Sequence, residues 1–274
     1  MTDFAAVADR LQFALEASAR AEELVLRYFL KDDLQVELKA DQSPVTAADR
    51  GAEELLRREL LAVFPDDAVM GEELGETPGT SGYRWILDPV DGTKSFVHGT
   101  PLFGMLIGLQ HGGNHVAGIC RLPAVREVIY AQRGGGTWWQ RGNQPAIRAR
   151  ISRTTELSQA LFCYTAVEGF QEIDRVDVLN TLARQTRISR GWGDCYGHML
   201  VATGRADIMV DPLLAEWDAS ALIPIVEEAG AVFMDWQGSS TAVGGNGISV
   251  VPALKDDLLR VITGEKSQRA GERS

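Results

Sequence analysis

The segment WILDPVDGTKSF, residues 85–96, places the tightest constraint on how this chain can fold. It begins with apolar residues typical of a buried strand and then reaches Pro89 and Gly92, which favour a turn. Asp88 and Asp91 stand in that turn, although a turn does not need two carboxylates that repel each other. We therefore expect either a cation beside these two side chains or a proton held between them.

The overall charge limits which partners the chain can bind. Its 274 residues include 38 acidic and 27 basic ones, for a net charge of −11. This balance argues against a nucleic-acid partner, which normally meets a basic surface. No apolar run is long enough to span a bilayer, so no membrane partner is expected. An acidic protein that acts on an anionic substrate needs metal ions to supply the positive charge.

The cysteines and the N-terminus favour a cytoplasmic protein. The three cysteines are scattered and odd in number, which argues against a disulfide framework and favours a reducing compartment. The first residues, MTDFAAVADRLQF, are amphipathic and broken by charges. They lack the basic start and apolar middle of a secretory signal.

Hydrophobic periodicity predicts helices over residues 3–30 and 47–63, the second with Thr46 as its N-cap and Asp49 in its first turn. Short strands with glycine-rich turns predict an antiparallel region after residue 83, with a hairpin at QHGGNH. Strands and helices alternate in the second half of the chain, with helices expected near 170–184, 194–204, 215–229 and 254–263. This order predicts an α/β fold with layered sheets and helices.

The composition suggests a division into three parts. We expect an N-terminal α+β subdomain at 1–145, which carries the acidic loops, and a C-terminal α/β subdomain at 146–265, which carries a substrate pocket. The tail at 266–274 is charged and bears Gly and Ser, so we expect it to be flexible.

Further acids occur far from the turn. Glu72 and Glu73 lie in MGEELGE, and Asp218 begins the apolar helix in AEWDASALIPIVEEAGA. Taken singly, the glutamates are explained as solvated loop charges and Asp218 as an N-cap. Together with Asp88 and Asp91, they form a set of carboxylates typical of Mg²⁺ or Mn²⁺ sites.

The same turn also offers groups that suit an anion. Pro89 constrains the backbone so that the Val90 carbonyl is available as a further oxygen ligand. If a helix begins after Gly92, the N–H groups of Gly92 and Thr93 point outward as an anion site. Metal ions beside such N–H groups predict a site for a phosphate ester.

These segments resemble the signature motifs of the inositol monophosphatase family. The resemblance rests on GEE at 71–73, WILDPVDGTKSF at 85–96, WDASALIPIVEEAG at 217–230 and KADQSPVTAAD at 39–49, and it extends from about residue 5 to 263. It implies an αβαβα sandwich, a phosphoric monoester hydrolase that depends on two or three Mg²⁺ ions, with Mn²⁺ as a possible substitute, and a homodimer.

The resemblance also implies a role for each matching residue. The implied metal ligands are Glu72, Asp88, the Val90 carbonyl, Asp91 and Asp218. The implied phosphate-binding residues are Gly92 and Thr93. The implied catalytic residues are Thr93 and Asp49, which orient or deprotonate the attacking water, together with Glu72 and Glu73 nearby. Lys39 is placed at the rim of the substrate site, with a solvated loop charge as the alternative. A metal-activated water then attacks phosphorus in line.

The leaving-group pocket is expected to decide the substrate. GWGDCYGH at 191–198 includes Asp194, which an N-cap role also explains, and Asp211 stands seven residues before Asp218. Two acids suit a cationic alcohol better than a neutral polyol. The element resembles the histidinol-phosphate phosphatases of the family, with Asp194, Asp211, Trp192 and Lys39 as substrate-binding residues. Trp192 is explained equally well as a core residue.

The histidines are expected to lie outside this site. His198 is expected to be buried with its hydrogen bonds satisfied, and His98 is a weaker candidate for the rim. His111 and His115 fall in the hairpin and are expected to be solvated.

Other functions remain open from the sequence. The nearest alternatives are an inositol-1-monophosphatase and a broad-specificity sugar-phosphate phosphatase, which differ only in the alcohol released. A phosphatase for nucleotide 3′-phosphates lacks the expected basic or aromatic cluster. A non-catalytic metal-binding regulatory protein would be favoured by missing ligands, but the acids are present.

Overall fold

The computed structural model of the protein describes residues 4–31, 33–39 and 44–264. Parts of three predictions lie outside these described residues: residue 3 of the first helix, residues 40–43 of the N-terminal motif and the flexible tail at 266–274. No helix within the described ranges is long and apolar enough to cross a membrane.

The helices of the described chain follow the predicted spacing. They are α1 (Phe4–Tyr28), α2 (Ala47–Val63), α3 (Thr93–Val97), α4 (Val167–Glu172), α5 (Val176–Gln185), α6 (Asp194–Ala202), α7 (Glu216–Glu228) and α8 (Lys255–Thr263). The helix predicted over 170–184 is replaced by α4 and α5. The chain bends between them at Asp174, whose φ of 54° is left-handed and therefore interrupts a right-handed helix.

Helix α2 begins where its local signals predict. Thr46 is the N-cap, and its hydroxyl accepts a hydrogen bond from the N–H of Ala48 at 3.1 Å. The carboxylate of Asp49 accepts the N–H of Thr46 at 2.8 Å, which completes a capping box. These bonds satisfy backbone N–H groups that a helix start otherwise leaves unpaired, and they hold Asp49 in place.

The strands form two larger sheets and one short ribbon. They are β1 (Val36–Leu38), β2 (Pro44–Thr46), β3 (Ala68–Gly71), β4 (Gly75–Thr77), β5 (Tyr83–Asp91), β6 (Gly104–His111), β7 (Asn114–Leu122), β8 (Glu127–Gln132), β9 (Gly136–Arg141), β10 (Ile147–Arg148), β11 (Leu161–Tyr164), β12 (Ile188–Arg190), β13 (Ile208–Asp211), β14 (Val232–Met234) and β15 (Gly247–Val250). β1 and β2 pair with each other as the ribbon.

The large sheet has the order β10-β9-β8-β7-β6-β5-β3-β4. Strands β5 to β10 pair antiparallel in sequence, which confirms the predicted antiparallel region. The predicted hairpin joins β6 to β7 through Gly112 and Gly113, both of which have positive φ. β3 runs parallel to β5, with Gly71 opposite Leu87, so the loop after β3 lies beside the acidic turn.

The second sheet has the order β12-β11-β13-β15-β14 and is mixed. β11 pairs parallel with β12 and with β13, whereas β15 pairs antiparallel with β13 and β14. Because β11 and β13 are parallel neighbours, their carboxyl ends meet at the same edge. The residues that follow Tyr164 and Val210, which are register partners, therefore come close together.

Helices and sheets alternate in layers. Leu106 and Ile107 are both buried but face opposite sides of the large sheet, as neighbouring residues of a strand must. One side packs on α1 and α2, and the other packs on α6 and α7, which also cover the second sheet. The far side of the second sheet packs on α5 and α8. The layers form an αβαβα sandwich, which confirms the predicted fold class.

The division into subdomains stays a prediction. β10, at residues 147–148, still belongs to the large sheet, and α7 packs against β6 and β7 of that sheet. The proposed boundary at 145/146 therefore separates segments that share packing.

Candidate active site

The acidic turn lies at the carboxyl end of β5. The pairing of β5 with β6 shifts register between Asp88 and Asp91, where Pro89 has no N–H to donate to the ladder. Asp88 is only 2% exposed, and its carboxylate accepts the N–H of Val90 at 3.0 Å. The irregularity thus places both acids at the end of the strand on a constrained backbone.

Helix α7 brings a third acid to this point. Ala215 is the N-cap of α7, so Asp218 lies in the first turn and not at the N-cap position that would explain it alone. Its carboxylate accepts the N–H of Ala215 at 2.8 Å, which orients the side chain. One carboxylate oxygen from each of Asp88, Asp91 and Asp218 lies within 4.8 Å of the other two.

The electrostatics of these three acids favour a bound cation. Burial first, and then repulsion from Glu72, Asp91 and Asp218, raises the pKa of Asp88 well above its usual value. Burial and the neighbouring acids also raise the pKa of Asp91 and of Asp218 to about 7. Without a cation the group retains protons, as expected for crowded carboxylates. Oxygen donors in this arrangement fit a hard divalent ion such as Mg²⁺.

Asp91 is tied to helix α6. The N–H of Cys195 donates to its Oδ2 at 2.6 Å, so the start of α6 abuts the acidic turn. Cys195 is buried, as are Cys120 and Cys163, and all three are free thiols. The hydrogen bond positions Asp91 from a segment that lies far away in sequence.

Asp194 does not occupy the N-cap position that the sequence suggested. Gly193 is the N-cap of α6, and Asp194 is the first helical residue with a left-handed φ of 51°. A Cβ on Gly92 would lie 3.1 Å from the Asp194 carboxylate, and Gly92 itself has a φ of 79°, so only glycine suits this position. Asp194 thus faces the acidic turn, and its conformation is uncommon for a non-glycine residue.

Thr165 links the two acids of the expected leaving-group pocket. Its hydroxyl donates to Asp211 Oδ2 at 2.8 Å and accepts the N–H of Asp194 at 3.0 Å. Thr165 was missed from the sequence, although it directly follows β11. A signal was present, since polar residues after adjacent parallel strands often line sites.

The pKa values of both acids in this pocket are strongly raised. Burial, and then the charge of Asp194, raises the pKa of Asp211 well above its usual value. Burial and the charge of Asp91 raise the pKa of Asp194 to about 7, while Lys94 opposes the shift. The pocket therefore combines a buried and a half-buried acid beside the metal-type cluster and favours a positively charged ligand group.

Thr93 and Asp49 meet on the other side of the turn. Gly92 caps the short helix α3, which begins at Thr93 as expected. The Thr93 hydroxyl donates to the Val90 carbonyl at 3.0 Å and lies 3.4 Å from Asp49 Oδ1. Asp49 is 2% exposed, and burial raises its pKa. Asp49 therefore does more than interact with the dipole of α2.

Lys39 contacts the acid pair after β3. Its ammonium lies 2.6 Å from Glu72 Oε1 and also bonds to Glu73, so the alternative of a solvated loop charge is wrong. The same contacts show that Glu72 and Glu73 are not simply solvated. The N–H of Glu72 donates to the carbonyl of Leu87 at 3.1 Å, which places Glu72 beside Asp88.

A buried ion pair of α2 supports this loop and was missed from the sequence. Glu53 accepts the N–H of Glu73 at 2.8 Å and of Leu74 at 3.2 Å, and Arg57 Nε donates to it at 2.7 Å. A Cβ on Gly71 would lie 2.1 Å from the Glu53 carboxylate, so only glycine allows this approach. Glu53 and Arg57 are separated by one helical turn on the buried side of α2, which is the signal that could have identified them.

The remaining candidates lie at the edge of the site or away from it. Trp192 is 37% exposed, so its alternative role as a core residue is wrong.

His198 is fully buried, and its Nδ1 bonds to Ser249. Its Nε2 has no partner among the described residues, so the expectation that all its hydrogen bonds are satisfied is wrong. Burial lowers the pKa of His198 to about 3. His98 is exposed and contacts the carbonyl of Lys94.

The hairpin histidines are not freely solvated as expected. His111 stacks on Tyr83 with a centroid distance of 4.2 Å. His115 lies 3.1 Å from the Ser220 hydroxyl on α7, and burial lowers its pKa. His111 therefore packs within the large sheet, against its register partner on β5, whereas His115 packs that sheet against α7.

Comparison with known proteins agrees with this geometry. The model of the inositol monophosphatase family matches residues 7–266. A histidinol-phosphatase of Chlorobaculum parvum is 42% identical over 94% of this chain and 98% of its own, and one of Streptomyces coelicolor is 36% identical over 92% and 96%. The solved structure of the extragenic suppressor protein suhB from Bartonella henselae superposes with a TM-score of 0.85 at 28% identity, covering 95% of this chain and all of its own.

Proposed function

The chain belongs to the inositol monophosphatase family and is a phosphoric monoester hydrolase, and on that premise we propose that it hydrolyses L-histidinol phosphate to L-histidinol and phosphate, a step of histidine biosynthesis. The observation that carries the substrate is the acid pair beside the metal-type cluster, in which Asp211 is buried and Asp194 is half-buried. Histidinol phosphate carries a protonated amine and an imidazole, whereas inositol phosphate carries only hydroxyls. A pocket with two acids favours the cationic alcohol.

The proposed cofactor is Mg²⁺, two or three ions per site, with Mn²⁺ as a possible substitute. The proposed ligands are Asp88, Asp91, Asp218, Glu72 and the Val90 carbonyl. The raised pKa of the three clustered acids supports this assignment, since a cation relieves the repulsion that keeps them protonated. When bound, Mg²⁺ would supply positive charge for the phosphate and for the alkoxide that leaves.

The phosphate and the attacking water are assigned to the other side of the turn. The N–H groups of Gly92 and Thr93, at the start of α3, are proposed to bind phosphate oxygens. The Thr93 hydroxyl, held between the Val90 carbonyl and Asp49, is proposed to orient the water. A carboxylate whose pKa is raised by burial, as for Asp49, is a better proton acceptor near neutral pH.

Glu72 and Glu73 are proposed to assist from the loop after β3. Their ion pairs with Lys39 support this proposal, because they join the three side chains in one group beside the acidic turn. The proposal that Lys39 contacts substrate is supported by its contacts with Glu72 and Glu73. The proposal for Trp192 is supported by its exposure and by its place two residues before Asp194.

The leaving alcohol is assigned to the pocket of Asp194 and Asp211. We propose that their carboxylates receive the amine and imidazole of histidinol, and that Thr165 positions the pocket by joining the Asp211 carboxylate to the Asp194 backbone N–H. A cationic ligand favours the ionised carboxylates and so lowers the cost of removing their protons.

Turnover of L-histidinol phosphate and inositol-1-phosphate with Mg²⁺ tests the substrate. We expect a preference for histidinol phosphate of at least about tenfold in kcat/KM, which corresponds to about 1.4 kcal/mol. Asp194→Asn should reduce kcat/KM for histidinol phosphate more than for a small neutral ester. Asp256→Asn, on an exposed face of α8, is the matched control.

A clear preference for inositol-1-phosphate would overturn this substrate and favour an inositol-1-monophosphatase. Comparable turnover of many esters would favour a broad-specificity sugar-phosphate phosphatase. Absence of phosphate release from every ester would favour a non-catalytic metal-binding regulatory protein. Equal losses on both substrates in Asp194→Asn would show that Asp194 is structural.

We further propose a homodimer in the cytoplasm with no nucleic-acid or membrane partner. The family resemblance supports the dimer, and the net charge of −11 supports the absence of a nucleic-acid partner. The buried free thiols are in keeping with a reducing compartment. Sedimentation in solution tests the dimer, and a monomer would refute it.

A further inference from the structure

Lys39 lies where its charge bears directly on the proposed metal site. Its ammonium is 2.6 Å from Glu72 Oε1 and also bonds to Glu73, and its side chain is 23% exposed. The side chains of Glu72 and Glu73 are 20% and 6% exposed. This is a tight, mostly buried contact, unlike a surface ion pair between mobile side chains.

Glu72 takes part both in the ion pair with Lys39 and in the group of clustered acids. Its N–H bonds to the Leu87 carbonyl, directly before Asp88, so it stands at the same end of the sheet as the clustered acids. Lys39, on the segment that follows β1, binds the Glu72 carboxylate through its ammonium. Glu72 therefore contacts an ammonium of the chain and also belongs to the acids that are proposed to hold Mg²⁺.

The other charged side chains near Lys39 do not supply a second positive charge to Glu72 and Glu73. Asp49 adds negative charge on the side of α2. Arg50, on the same helix, is positive but bonds to Glu37 at 2.7 Å at the surface. Among the described residues, Lys39 is the cation in direct contact with the Glu72–Glu73 pair.

We propose that Lys39 is an internal counter-ion that holds Glu72 in the metal-free protein and competes with the divalent ion for that carboxylate. The inference rests on the proposed metal-dependent function. It assigns Lys39 as a positioning residue in addition to its proposed place at the rim. A positive charge within a few ångströms of a ligand weakens the field that attracts a divalent ion, and the effect is strong where water is scarce.

Removal of the Lys39 ammonium should therefore have opposite effects on the metal-free and the metal-bound protein. In the metal-free protein, removal of the ammonium leaves Glu72 and Glu73 facing each other without a counter-ion, which destabilises the fold. In the metal-bound protein, the same removal deletes a repulsion between Lys39 and the ion. A residue with only a structural role would lower stability without tightening the binding of metal.

Calorimetric titration of Mg²⁺ into the metal-free full chain tests this inference. We expect Lys39→Met to bind Mg²⁺ on the order of tenfold more tightly than the wild type. The metal-free variant should unfold at a lower temperature, and saturating Mg²⁺ should return its unfolding temperature towards that of the wild type. Lys39→Arg, which retains the charge, should bind Mg²⁺ nearly as the wild type does.

Lys31→Met is the matched control, because Lys31 is an exposed lysine that contacts Tyr28 and not the acids. Its Mg²⁺ affinity should not change. Unchanged or weaker Mg²⁺ binding by Lys39→Met would overturn the inference and leave the proposed function standing, since no substrate enters the titration. Absence of Mg²⁺ binding by the wild type would refute the metal-dependent function as well.

Discussion

At the scale of single residues, Asp88, Asp91 and Asp218 are costly for the protein when no cation is present. They are held together by backbone contacts, namely the Val90 N–H on Asp88, the Cys195 N–H on Asp91 and the Ala215 N–H on Asp218. Each contact orients a carboxylate towards the other two. The acids are therefore placed for binding at the expense of stability, as is common at functional sites.

Asp218→Asn is expected to have opposite effects on stability and on activity. Asparagine retains an oxygen for the Ala215 N–H, so the first turn of α7 is preserved, but a negative charge of the cluster is lost. Mg²⁺-dependent phosphate release should fall on the order of 100-fold. The metal-free variant should unfold at a higher temperature than the wild type, because the repulsion within the cluster is reduced.

Activity titrations with Mg²⁺ and thermal unfolding in the presence of a chelator measure these two effects. Asp256→Asn removes an exposed acid from α8 and serves as the control for both. A variant with full activity, or one with lowered metal-free stability, would contradict the role assigned to Asp218.

At the scale of elements, α2 supports the site at its N-terminus and again near its middle. Its capping box holds Asp49 near Thr93 at the N-terminus. One turn further on, Glu53 and Arg57 hold the loop that joins β3 to β4. Because α2 is packed firmly on the large sheet, it fixes the position of both the proposed base and the Glu72–Glu73 pair.

Glu53→Gln is expected to loosen the loop between β3 and β4. Glutamine cannot balance the Arg57 charge, and breaking a buried ion pair by removing one partner costs about 3 kcal/mol. Mg²⁺ affinity should also weaken about tenfold, since supporting residues of a metal site have effects of this size. Chemical denaturation and calorimetric titration measure the two changes.

Glu54→Gln is the matched control, because Glu54 is the exposed neighbour of Glu53 on the same helix. Glu54→Gln should change neither the free energy of unfolding nor the Mg²⁺ affinity. A Glu53→Gln variant that loses stability but keeps its Mg²⁺ affinity would show that the pair supports only the fold.

At the scale of the whole molecule, the clustered acids make stability depend on pH. The pKa values of Asp91, Asp194 and Asp218 are raised to about 7, mainly by burial and also by neighbouring charge. The unfolded chain releases these protons near the ordinary aspartate value of about 4. The stability contributed by the protonated carboxyls is therefore full below about pH 4 and is lost as the pH rises through about 7.

We expect the unfolding temperature of the metal-free protein to fall by several degrees as the pH rises from about 5 to about 8. Mg²⁺ should restore stability, and the gain should increase with pH because the ion binds the ionised acids. Differential scanning calorimetry with a chelator and with Mg²⁺ measures both trends. A metal-free profile that rises over this interval would contradict the pKa shifts.

The layered fold was largely predictable because its signals are local. The bounds of α2 follow from Thr46, Asp49 and an apolar stripe, all within a few turns of one another. The antiparallel strands follow from short apolar runs separated by glycine-rich turns. The division of the helix expected at 170–184 was not predictable, since an aspartate tolerates the left-handed conformation of Asp174 without requiring it.

The sequence by itself determined the acidic turn, the helix cap at Thr46 and the family motifs, because each depends on residues a few positions apart. Only the tertiary structure decided how closely Asp218 approaches Asp88, that Thr165 joins Asp194 to Asp211, and that Lys39 contacts Glu72. These contacts join segments far apart in the chain. Their distances depend on how the helical layers pack against the two sheets, and no local pattern of residues specifies that packing.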